Sequence, residues 1–380
     1  MNTQAQAPIR IGLIGTGQIG KMHLDRYKDI PGAQVVAACD IYEQEVKRVG
    51  ELYNIPHTYT DFRKLLERDD LDAVDVCLHN NFHAPVTIEA LRAGKHVYCE
   101  KPIAGSYADG KAMVQAANET GKMLHIQLGT LYRKETKAAK TLIDDGKLGR
   151  LYHARSTGFR RRNRPFVDGY GTPHFTRKET AAGGALLDMG VYHIAQMLYL
   201  LGNPEVTRIS GKVYQELDML EDRRQQSGFN VEELGIGLIK FKGGLTLDLI
   251  EAWAIHAGGF EGGTVFGSQG GLKLPSEGPG GEKVPFTYHT TVSDMDIDST
   301  INLDLMDLRW HRLREHEDAY DSSQHHWIAA LQGRVPLLDT AGIALRTMLI
   351  SEGIYLSDGE DREVTADEVD ALSVSQAVTL

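Results

Sequence analysis

A lysine stands between a glutamate and a proline in the stretch HVYCEKPIAG, at the end of an apolar run. A charged side chain at the end of a buried strand costs free energy unless a function uses it. As an ammonium, Lys101 could polarise a substrate oxygen or stabilise a neighbouring phenolate. The alternative is a surface loop lysine paired with Glu100, and the position of Lys101 alone fits both interpretations.

A second group of reactive side chains lies in AGGALLDMGVYHIAQMLYLLG, where the apolar residues recur at helical spacing. Asp188 and Tyr192 are four residues apart and therefore share a helix face, whereas His193, five from Asp188, points well round the helix. A tyrosine with its normal pKa is a poor base at neutral pH, but an adjacent ammonium lowers that pKa. In the alternative interpretation, Asp188 is a helix-start carboxylate and Tyr192 a half-buried packing residue.

The elements that must position these groups begin with a glycine loop. A strand-like run leads into GTGQIG, which opens a helix, and Asp40 lies twenty positions after Gly20 at the end of the next strand. This arrangement predicts a dinucleotide site with the pyrophosphate on the helix N-terminus. Asp40 can accept hydrogen bonds from the ribose hydroxyls of NAD and would repel the 2′-phosphate of NADP, so NAD is favoured. The predicted loop residues are Gly15, Thr16, Gly17, Gln18, Ile19 and Gly20.

Strands alternate with helices over the first third of the chain, which predicts an α/β fold with a doubly wound parallel Rossmann sheet in residues 1–127. Ligands bind beyond the carboxyl ends of such strands, which puts Lys101 near the nicotinamide end of a bound dinucleotide. Residues 128–380 carry runs of strands with hairpin glycines and a few helices. This pattern predicts a second, α+β domain with an open, mostly antiparallel sheet.

The sequence around Lys101 resembles the signature motif of the Gfo/Idh/MocA (glucose–fructose oxidoreductase and inositol dehydrogenase) family. The matching residues are Asn80, His83, Glu100, Lys101 and Pro102. The resemblance implies that these residues line the cofactor site, that Lys101 hydrogen-bonds the reacting substrate hydroxyl, and that the Lys101–Pro102 bond is cis. The chain departs from the family where Thr-Pro often precedes the asparagine, because Leu78 and His79 stand there instead.

The second motif matches the family's Asp-x-x-x-Tyr form. This match implies that Tyr192 accepts the proton from the substrate hydroxyl and that Asp188 holds the substrate and Lys101 in place. His193 is the second candidate for the proton acceptor. Arg133 matches an arginine that often follows the Rossmann domain. His174 and Lys178 precede the catalytic helix and could reach the substrate.

The arginines of FRRRNRP, residues 159–165, have two interpretations. A run of like charges usually forms a solvated face, and that is our prediction for these arginines. In the alternative interpretation, the arginines have a function and form the rim of a site that binds an anionic substrate or a neighbouring subunit.

Together these features predict an NAD-dependent dehydrogenase that transfers a hydride between nicotinamide and a hydroxyl-bearing carbon of a sugar, sugar derivative or cyclic polyol, without a metal. One alternative is an NAD-recycling glycosidase or lyase that acts through a transient keto-sugar. Another is a non-catalytic sensor, which has no need of an acid–base pair. The family's second domain often mediates assembly, so the resemblance implies a homo-oligomer, either a dimer or a tetramer.

Composition limits the remaining function classes. The chain has 380 residues and a net charge of −11, which gives no global support to a nucleic-acid or anionic-membrane partner. Cys39, Cys77 and Cys99 are widely spaced and predict buried free thiols rather than a metal or disulfide framework. No signal peptide or membrane-spanning run is evident, so a cytoplasmic protein is predicted. The acidic segment 357–372 predicts a solvated terminus.

Overall fold

The computed structural model describes residues 7–277, 283–306, 308 and 318–380. The first sheet has the order β3-β2-β1-β4-β5-β6, and every neighbouring pair is parallel. This confirms the predicted doubly wound parallel sheet. Its strands are β1 (Ile9–Ile14), β2 (Ala33–Cys39), β3 (His57–Tyr59), β4 (Ala73–Val76), β5 (His96–Cys99) and β6 (Leu124–Ile126).

Helices cover both faces of this sheet, and the central strands are accordingly buried along nearly their whole length. The helices that connect its strands are α1 (Gln18–Tyr27), α2 (Glu43–Tyr53), α3 (Phe62–Leu66), α4 (Asn80–Arg92) and α5 (Tyr107–Thr120). The chain leaves β6 through the 3₁₀ turn Gly129–Tyr132, and this turn begins directly beyond a strand carboxyl end. The position of the turn brings its residues to the edge of the sheet where ligands bind.

A second sheet has the order β16-β15-β12-β11-β7-β10-β9-β8-β17, and only the β7–β10 pair of it is parallel. The predicted open, mostly antiparallel sheet is therefore confirmed. Its strands are β7 (Leu151–Phe159), β8 (Val206–Tyr214), β9 (Leu234–Phe241), β10 (Thr246–Ala252), β11 (Thr264–Gly267), β12 (Gly270–Lys273), β15 (Thr287–Val292), β16 (Met295–Thr300) and β17 (Val364–Thr365). The short strands β13 (Ser276–Glu277) and β14 (Lys283–Val284) form a separate pair.

Helices pack on one face of the second sheet. The helices in this part of the chain include α6 (Lys134–Asp144), α7 (Lys178–Ala181), α8 (Val191–Leu200), α9 (Glu221–Ser227), α10 (Ser323–Leu331), α11 (Thr340–Glu360) and α12 (Ala366–Leu372). Of these, α8, α11 and α12 contact strands of the second sheet. The long helix α11 lies close to β8 and β9 because two strand glycines leave room for it. A Cβ on Gly211 or Gly237 would lie 2.8 Å from the side chain of Ile354.

Helix α10 packs on the first sheet, although it lies late in the chain. Trp327 is fully buried in a cluster with Ile11 and Tyr98, and the Tyr98 hydroxyl donates to Ser323 Oγ over 3.0 Å. A boundary between residues 127 and 128 thus stays a prediction. Within the described residues, no helix is both long and apolar enough to cross a membrane. The three cysteines are free, with Cys39 and Cys99 buried and Cys77 half-buried.

The prediction of a solvated acidic terminus is wrong. Val364 lies in β17, which pairs with β8, and Val364 and Val369 are buried. Helix α12 begins with a capping box in which Thr365 and Glu368 each accept a hydrogen bond from the other residue's backbone N–H. Two apolar anchors in an otherwise charged segment are enough to fasten it to the sheet.

The prediction of a solvated arginine face is also wrong for part of the segment 159–165. The Arg164 side chain is fully buried and donates to Asp168 and to Glu233 Oε2 over 2.9 and 2.8 Å. Its remaining N–H groups donate to the carbonyl oxygens of Leu217 and Asp218. The guanidinium joins Glu233, the residue before β9, to two irregular segments, so its role is structural.

We expect Arg164→Met to destabilise the protein by about 3–5 kcal/mol, because it leaves two carboxylates buried without their cation. The urea midpoint should fall in an unfolding experiment. Arg162→Met is the matched control, since Arg162 belongs to the same run but is exposed. Equal midpoints for the two variants would contradict a structural role for Arg164.

Candidate active site

The glycine loop GTGQIG joins β1 to α1 in the geometry that a dinucleotide requires. Gly15 has a φ of +97°, and a Cβ there would lie 2.3 Å from the carbonyl oxygen of Cys77. A Cβ on Gly17, in contrast, would meet nothing within 4 Å. Gly17 is also the N-cap of α1 and makes no side-chain capping bond. The first N–H groups of the helix therefore face an open side, where they suit a pyrophosphate.

Asp40 stands at the end of β2, beside this loop. Its Oδ2 accepts hydrogen bonds from the Thr16 N–H and hydroxyl over 2.8 and 2.9 Å. The next basic residues in sequence, Lys47 and Arg48, are exposed and pair with Glu43 and Glu45. The carboxylate is thus fixed in place, and those two cations are already partnered.

Asn80 and His83 lie on the first turn of α4. Asn80 Nδ2 donates to the carbonyl oxygen of Ala181 over 2.7 Å, which ties the second half of the chain to this loop. The buried His83 ring lies 2.7 Å from the Pro102 oxygen and 3.0 Å from the Leu78 oxygen. Burial lowers the pKa of His83, so the neutral ring donates to one of the two. His83 thereby holds the loop that follows Lys101.

Glu100 belongs to a buried chain of alternating charges that the sequence analysis missed. Glu100 Oε1 lies 2.8 Å from His23 Nε2, and His23 Nδ1 lies 2.8 Å from Asp75 Oδ2. Burial opposes a charge on His23, but Asp75 and Cys77 together outweigh it and raise the pKa of His23. The other Glu100 oxygen accepts the Lys101 backbone N–H over 3.0 Å. A carboxylate inside the apolar run of β4 was the available sequence signal for Asp75.

Lys101 and Asp188 meet, as their chemistry predicts. Lys101 Nζ lies 3.1 Å from Asp188 Oδ1 and 2.8 Å from the Asp188 carbonyl oxygen. The Lys101–Pro102 peptide bond is cis, which confirms that expectation. Burial acts to lower the pKa of Lys101, but Asp188, Tyr192 and Glu100 together outweigh it, and the pKa is raised overall. Burial acts to raise the pKa of Asp188, but the charges of Lys101 and Arg160 lower it. Both groups are charged at neutral pH.

Tyr192 lies against Lys101, whose Nζ is 4.9 Å from the ring centroid. The Tyr192 hydroxyl donates to Gln127 Oε1 over 3.3 Å. Burial raises the pKa of Tyr192 and outweighs the lowering by Lys101. Lys101 thus lowers the pKa of Tyr192, as expected, but burial has the larger effect, because loss of solvent disfavours the phenolate.

The prediction that His193 turns away from the site is wrong. The chain is π-helical from Leu186 to Gly190, before α8 begins at Val191. This turn changes the α-helical register between Asp188 and His193, and such π-turns are frequent at functional sites. Tyr192 and His193 both line one cavity of about 1090 Å³.

His193 forms a pair with a carboxylate that sequence reasoning missed. Its Nδ1 lies 2.9 Å from Glu251 Oε2, and the fully buried Glu251 also accepts from Ser156 Oγ over 3.2 Å. Burial acts to lower the pKa of His193, but the charge and hydrogen bond of Glu251 together raise it by more, so the pKa is raised overall. A Cβ on Gly158 would lie 1.8 Å from Glu251 Oε2, so glycine makes room for the pair. Glu251 follows the inward-facing Leu247 and Leu249 in an alternating strand, which was a usable signal.

The remaining predicted substrate residues divide into two groups. Arg133 lines the cavity, and so does Arg160 from the arginine run. His174 and Lys178 do not line it. The His174 ring instead lies 5.0 Å from the ring of His79, and the Lys178 backbone N–H donates to Asn230 Oδ1. The structure therefore does not bring His174 and Lys178 to the cavity.

Comparisons with known proteins agree with this geometry. Residues 9–128 match the GFO_IDH_MocA model, an oxidoreductase family with an NAD-binding Rossmann fold, and residues 136–273 match the GFO/IDH/MocA C-terminal domain. The chain is 29% identical to D-glucoside 3-dehydrogenase of Escherichia coli over 261 residues, which cover 67% of this chain and 73% of that protein. It is 26% identical to D-apiose dehydrogenase of Paraburkholderia graminis over 369 residues, covering 94% and 90%.

Among solved structures, levoglucosan dehydrogenase in complex with NADH has the same fold. Its TM-score is 0.77 at 19% identity, and the match covers 94% of this chain and 99% of that one.

Proposed function

The chain belongs to the GFO/IDH/MocA oxidoreductase family, and we propose that it is a dehydrogenase of a sugar, a sugar derivative or a cyclic polyol. It is an NAD(P)-dependent oxidoreductase, and its first sheet is an NAD-binding Rossmann fold. Several relatives bear the names of sugar and polyol dehydrogenases, among them D-glucoside 3-dehydrogenase and D-apiose dehydrogenase. That this chain acts on the same class of substrate as these relatives is part of our proposal.

The observation that carries the proposal is the ion pair of Lys101 and Asp188 against the Tyr192 ring, beside a large cavity. A charged, fixed ammonium can donate a hydrogen bond to the hydroxyl that is oxidised and stabilise negative charge on that oxygen. Asp188 keeps the ammonium charged and in position. NAD, when bound, supplies the hydride acceptor.

The hydroxyl proton needs an acceptor, and two groups at the cavity can take it. We assign this role to Tyr192, because it is the one that contacts Lys101. His193, with Glu251 behind it, is the second candidate. Both assignments stay proposals. The two groups ionise in different pH ranges, so the pH dependence of the rate can show which of them accepts the proton.

The proposed cofactor contacts come from the glycine loop, β2, α4 and the segment after β5. They are Gly15, Thr16, Gly17, Gln18, Ile19, Gly20, Asp40, Asn80, His83, Glu100 and Lys101. The open side of Gly17 and the uncapped start of α1 support the pyrophosphate position. Asp40, fixed by Thr16, supports recognition of a ribose with free hydroxyls.

We also propose a homo-oligomer that assembles through the uncovered face of the second sheet. Leu238 and Phe266 on that face are 41% and 39% exposed. Leu238 lies on β9 and Phe266 on β11, with β10 and β7 between them, and a contiguous apolar patch across these strands would be typical of a protein interface. Light scattering on the purified protein gives the number of subunits.

The decisive experiment is a panel of aldoses, inositols, sugar acids and anhydrosugars assayed with NAD and NADP for formation of the reduced cofactor. We expect net reduction of NAD with at least one member. Consumption of a glycoside without net NAD reduction would instead support the redox-neutral glycosidase. A panel without turnover of any kind would overturn the proposal.

For cofactor choice, we expect Asp40→Ser to lower the ratio of kcat/KM with NAD to that with NADP by about tenfold or more. The substitution removes both the charged acceptor for the ribose and the repulsion of a 2′-phosphate. Asp40→Asn is the matched control, since it keeps an acceptor of the same shape and removes only the charge. A wild-type protein that uses NADP as readily as NAD would contradict the role of Asp40.

A further inference from the structure

The cavity beside Tyr192 is cationic on one side, although the whole chain carries a net charge of −11. Arg133, Arg160 and His193 all line the cavity. Clefts lined by one sign of charge attract ligands of the opposite sign.

Both arginines retain donors. Arg160 Nη1 donates to the Tyr170 hydroxyl over 2.5 Å and lies 3.5 Å from Asp188 Oδ2. Arg133 has one carboxylate partner among the described residues, Glu135 at 3.9 Å, which is too long for a hydrogen bond. Each guanidinium has five N–H donors in a planar fork. Most of these donors make no bond within the described part of the chain.

Positive side chains outnumber negative ones around the cavity. The cations that line it are Arg26, Arg133, Lys134, Lys137 and Arg160, and the carboxylates are Glu135 and Asp321. His193 and Glu251 form a separate pair. The excess of cations in the lining favours an anionic group on the ligand.

We propose that the substrate carries a carboxylate, which Arg133 and Arg160 bind while its reacting hydroxyl lies at Lys101 and Tyr192. The substrate is then a sugar acid of the aldonic or uronic class. This inference rests on the proposed dehydrogenase function and specifies its substrate. Arginine is suited to the role because its fork binds a carboxylate through two parallel hydrogen bonds.

The test measures binding and turnover with the NADH- or NAD-saturated protein. The probes are D-gluconate and D-glucuronate, with D-glucose and myo-inositol as uncharged sugars and D-glucose 6-phosphate as a phosphorylated one. Calorimetric titration gives Kd with NADH present, and initial rates with NAD give KM and kcat separately. We expect a sugar acid to bind about 10- to 100-fold more tightly than the uncharged sugars.

Arg133→Gln should weaken sugar-acid binding by about 10- to 100-fold and raise KM more than it lowers kcat. Its effect on uncharged sugars should be small. Arg160→Gln should weaken the same ligands, with an added loss of kcat because Arg160 touches Asp188. Arg150→Gln, at an exposed arginine that does not line the cavity, is the matched control and should bind as wild type does.

Uncharged sugars that bind as tightly as the acids, or an Arg133→Gln variant that binds acids as wild type does, would overturn the inference. Preference for D-glucose 6-phosphate over both acids would also overturn it. Oxidation of uncharged sugars alone would refute the carboxylate and leave the proposed dehydrogenase intact. A failure of the proposed function itself is recognised differently, by the lack of NAD reduction with any sugar.

Discussion

Replacement of Lys101 by methionine is expected to reduce turnover by about 10²- to 10⁴-fold while NADH binding stays near that of wild type. Methionine keeps most of the length of the side chain and removes the ammonium. The ammonium lies 3.1 Å from Asp188 Oδ1 and against the Tyr192 ring, and we propose that it binds the reacting oxygen there. Lys101 is one of the proposed cofactor contacts, but the glycine loop and Asp40 are untouched by this change, so NADH binding should persist.

Steady-state rates and a fluorescence titration with NADH measure the two expected effects separately. The variant also leaves Asp188 without its closest cation, although Arg160 and the Trp253 N–H remain near its Oδ2. A modest loss of stability is therefore expected, and an unfolding curve shows whether the variant is folded. Lys111→Met is the control, since Lys111 is an exposed lysine paired with Asp370. If turnover of the Lys101 variant is within a few-fold of wild type, the proposed role of the Lys101 ammonium in catalysis is wrong.

Asp188→Asn separates the charge of the carboxylate from its shape. Lys101 would keep a hydrogen-bond acceptor but lose most of the interaction that raises its pKa.

The first sheet and its loop were predictable because their signals are local. The glycine spacing, the strand that precedes it and Asp40 lie within about one βαβ unit, and each is explained by a contact of neighbouring elements. Gly15, for example, is required by its positive φ and by the Cys77 carbonyl next to it. Short-range patterns of this kind determine the local structure without help from distant residues, so they can be read from the sequence.

The start of the second motif was not predictable, since a distant residue fixes it. Buried Glu232 accepts the N–H groups of Gly184 and Leu186 over 2.8 and 2.9 Å. The π-turn follows directly, and it carries His193 to the cavity. Counting residues from Asp188 assumes an unbroken α-helix, and that assumption fails here.

Buried charges were the other source of error. Arg164 looked like one of four solvated arginines, but its partner Glu233 lies 69 residues away in sequence. Lys101 lowers the pKa of Tyr192 as expected, but burial raises it more, and the sequence does not show that burial. In both cases the missing quantity is the degree of burial, which depends on tertiary packing rather than on neighbours in sequence.

Replacement of Tyr192 by phenylalanine tests the proton acceptor, and we expect it to lower turnover by about 10²- to 10⁴-fold with little loss of stability. Phenylalanine keeps the ring that packs against Lys101 and removes the hydroxyl that bonds to Gln127. Gln127→Leu is a useful companion, since it frees the Tyr192 hydroxyl from an acceptor that favours its protonated form.

The pH dependence of kcat/KM identifies the acceptor, because an acceptor acts only when it is deprotonated. Burial raises the pKa of Tyr192 above its usual value of about 10, so oxidation by Tyr192 should increase with pH throughout the neutral and mildly alkaline range. Glu251 raises the pKa of His193 above about 6.5, so oxidation by His193 should level off at a lower pH. The two groups thus predict different profiles for the same reaction.

Glu251→Gln and His193→Gln complete this test. If Tyr192 is the acceptor, both variants should keep the alkaline rise, and Tyr192→Phe alone should abolish it. If His193 is the acceptor, Glu251→Gln should move the rise to lower pH, because it removes the carboxylate that raises the pKa of His193. A Tyr192→Phe variant near wild-type rate, together with an inactive His193→Gln, would transfer the role to the histidine–glutamate pair that the π-turn places at the cavity.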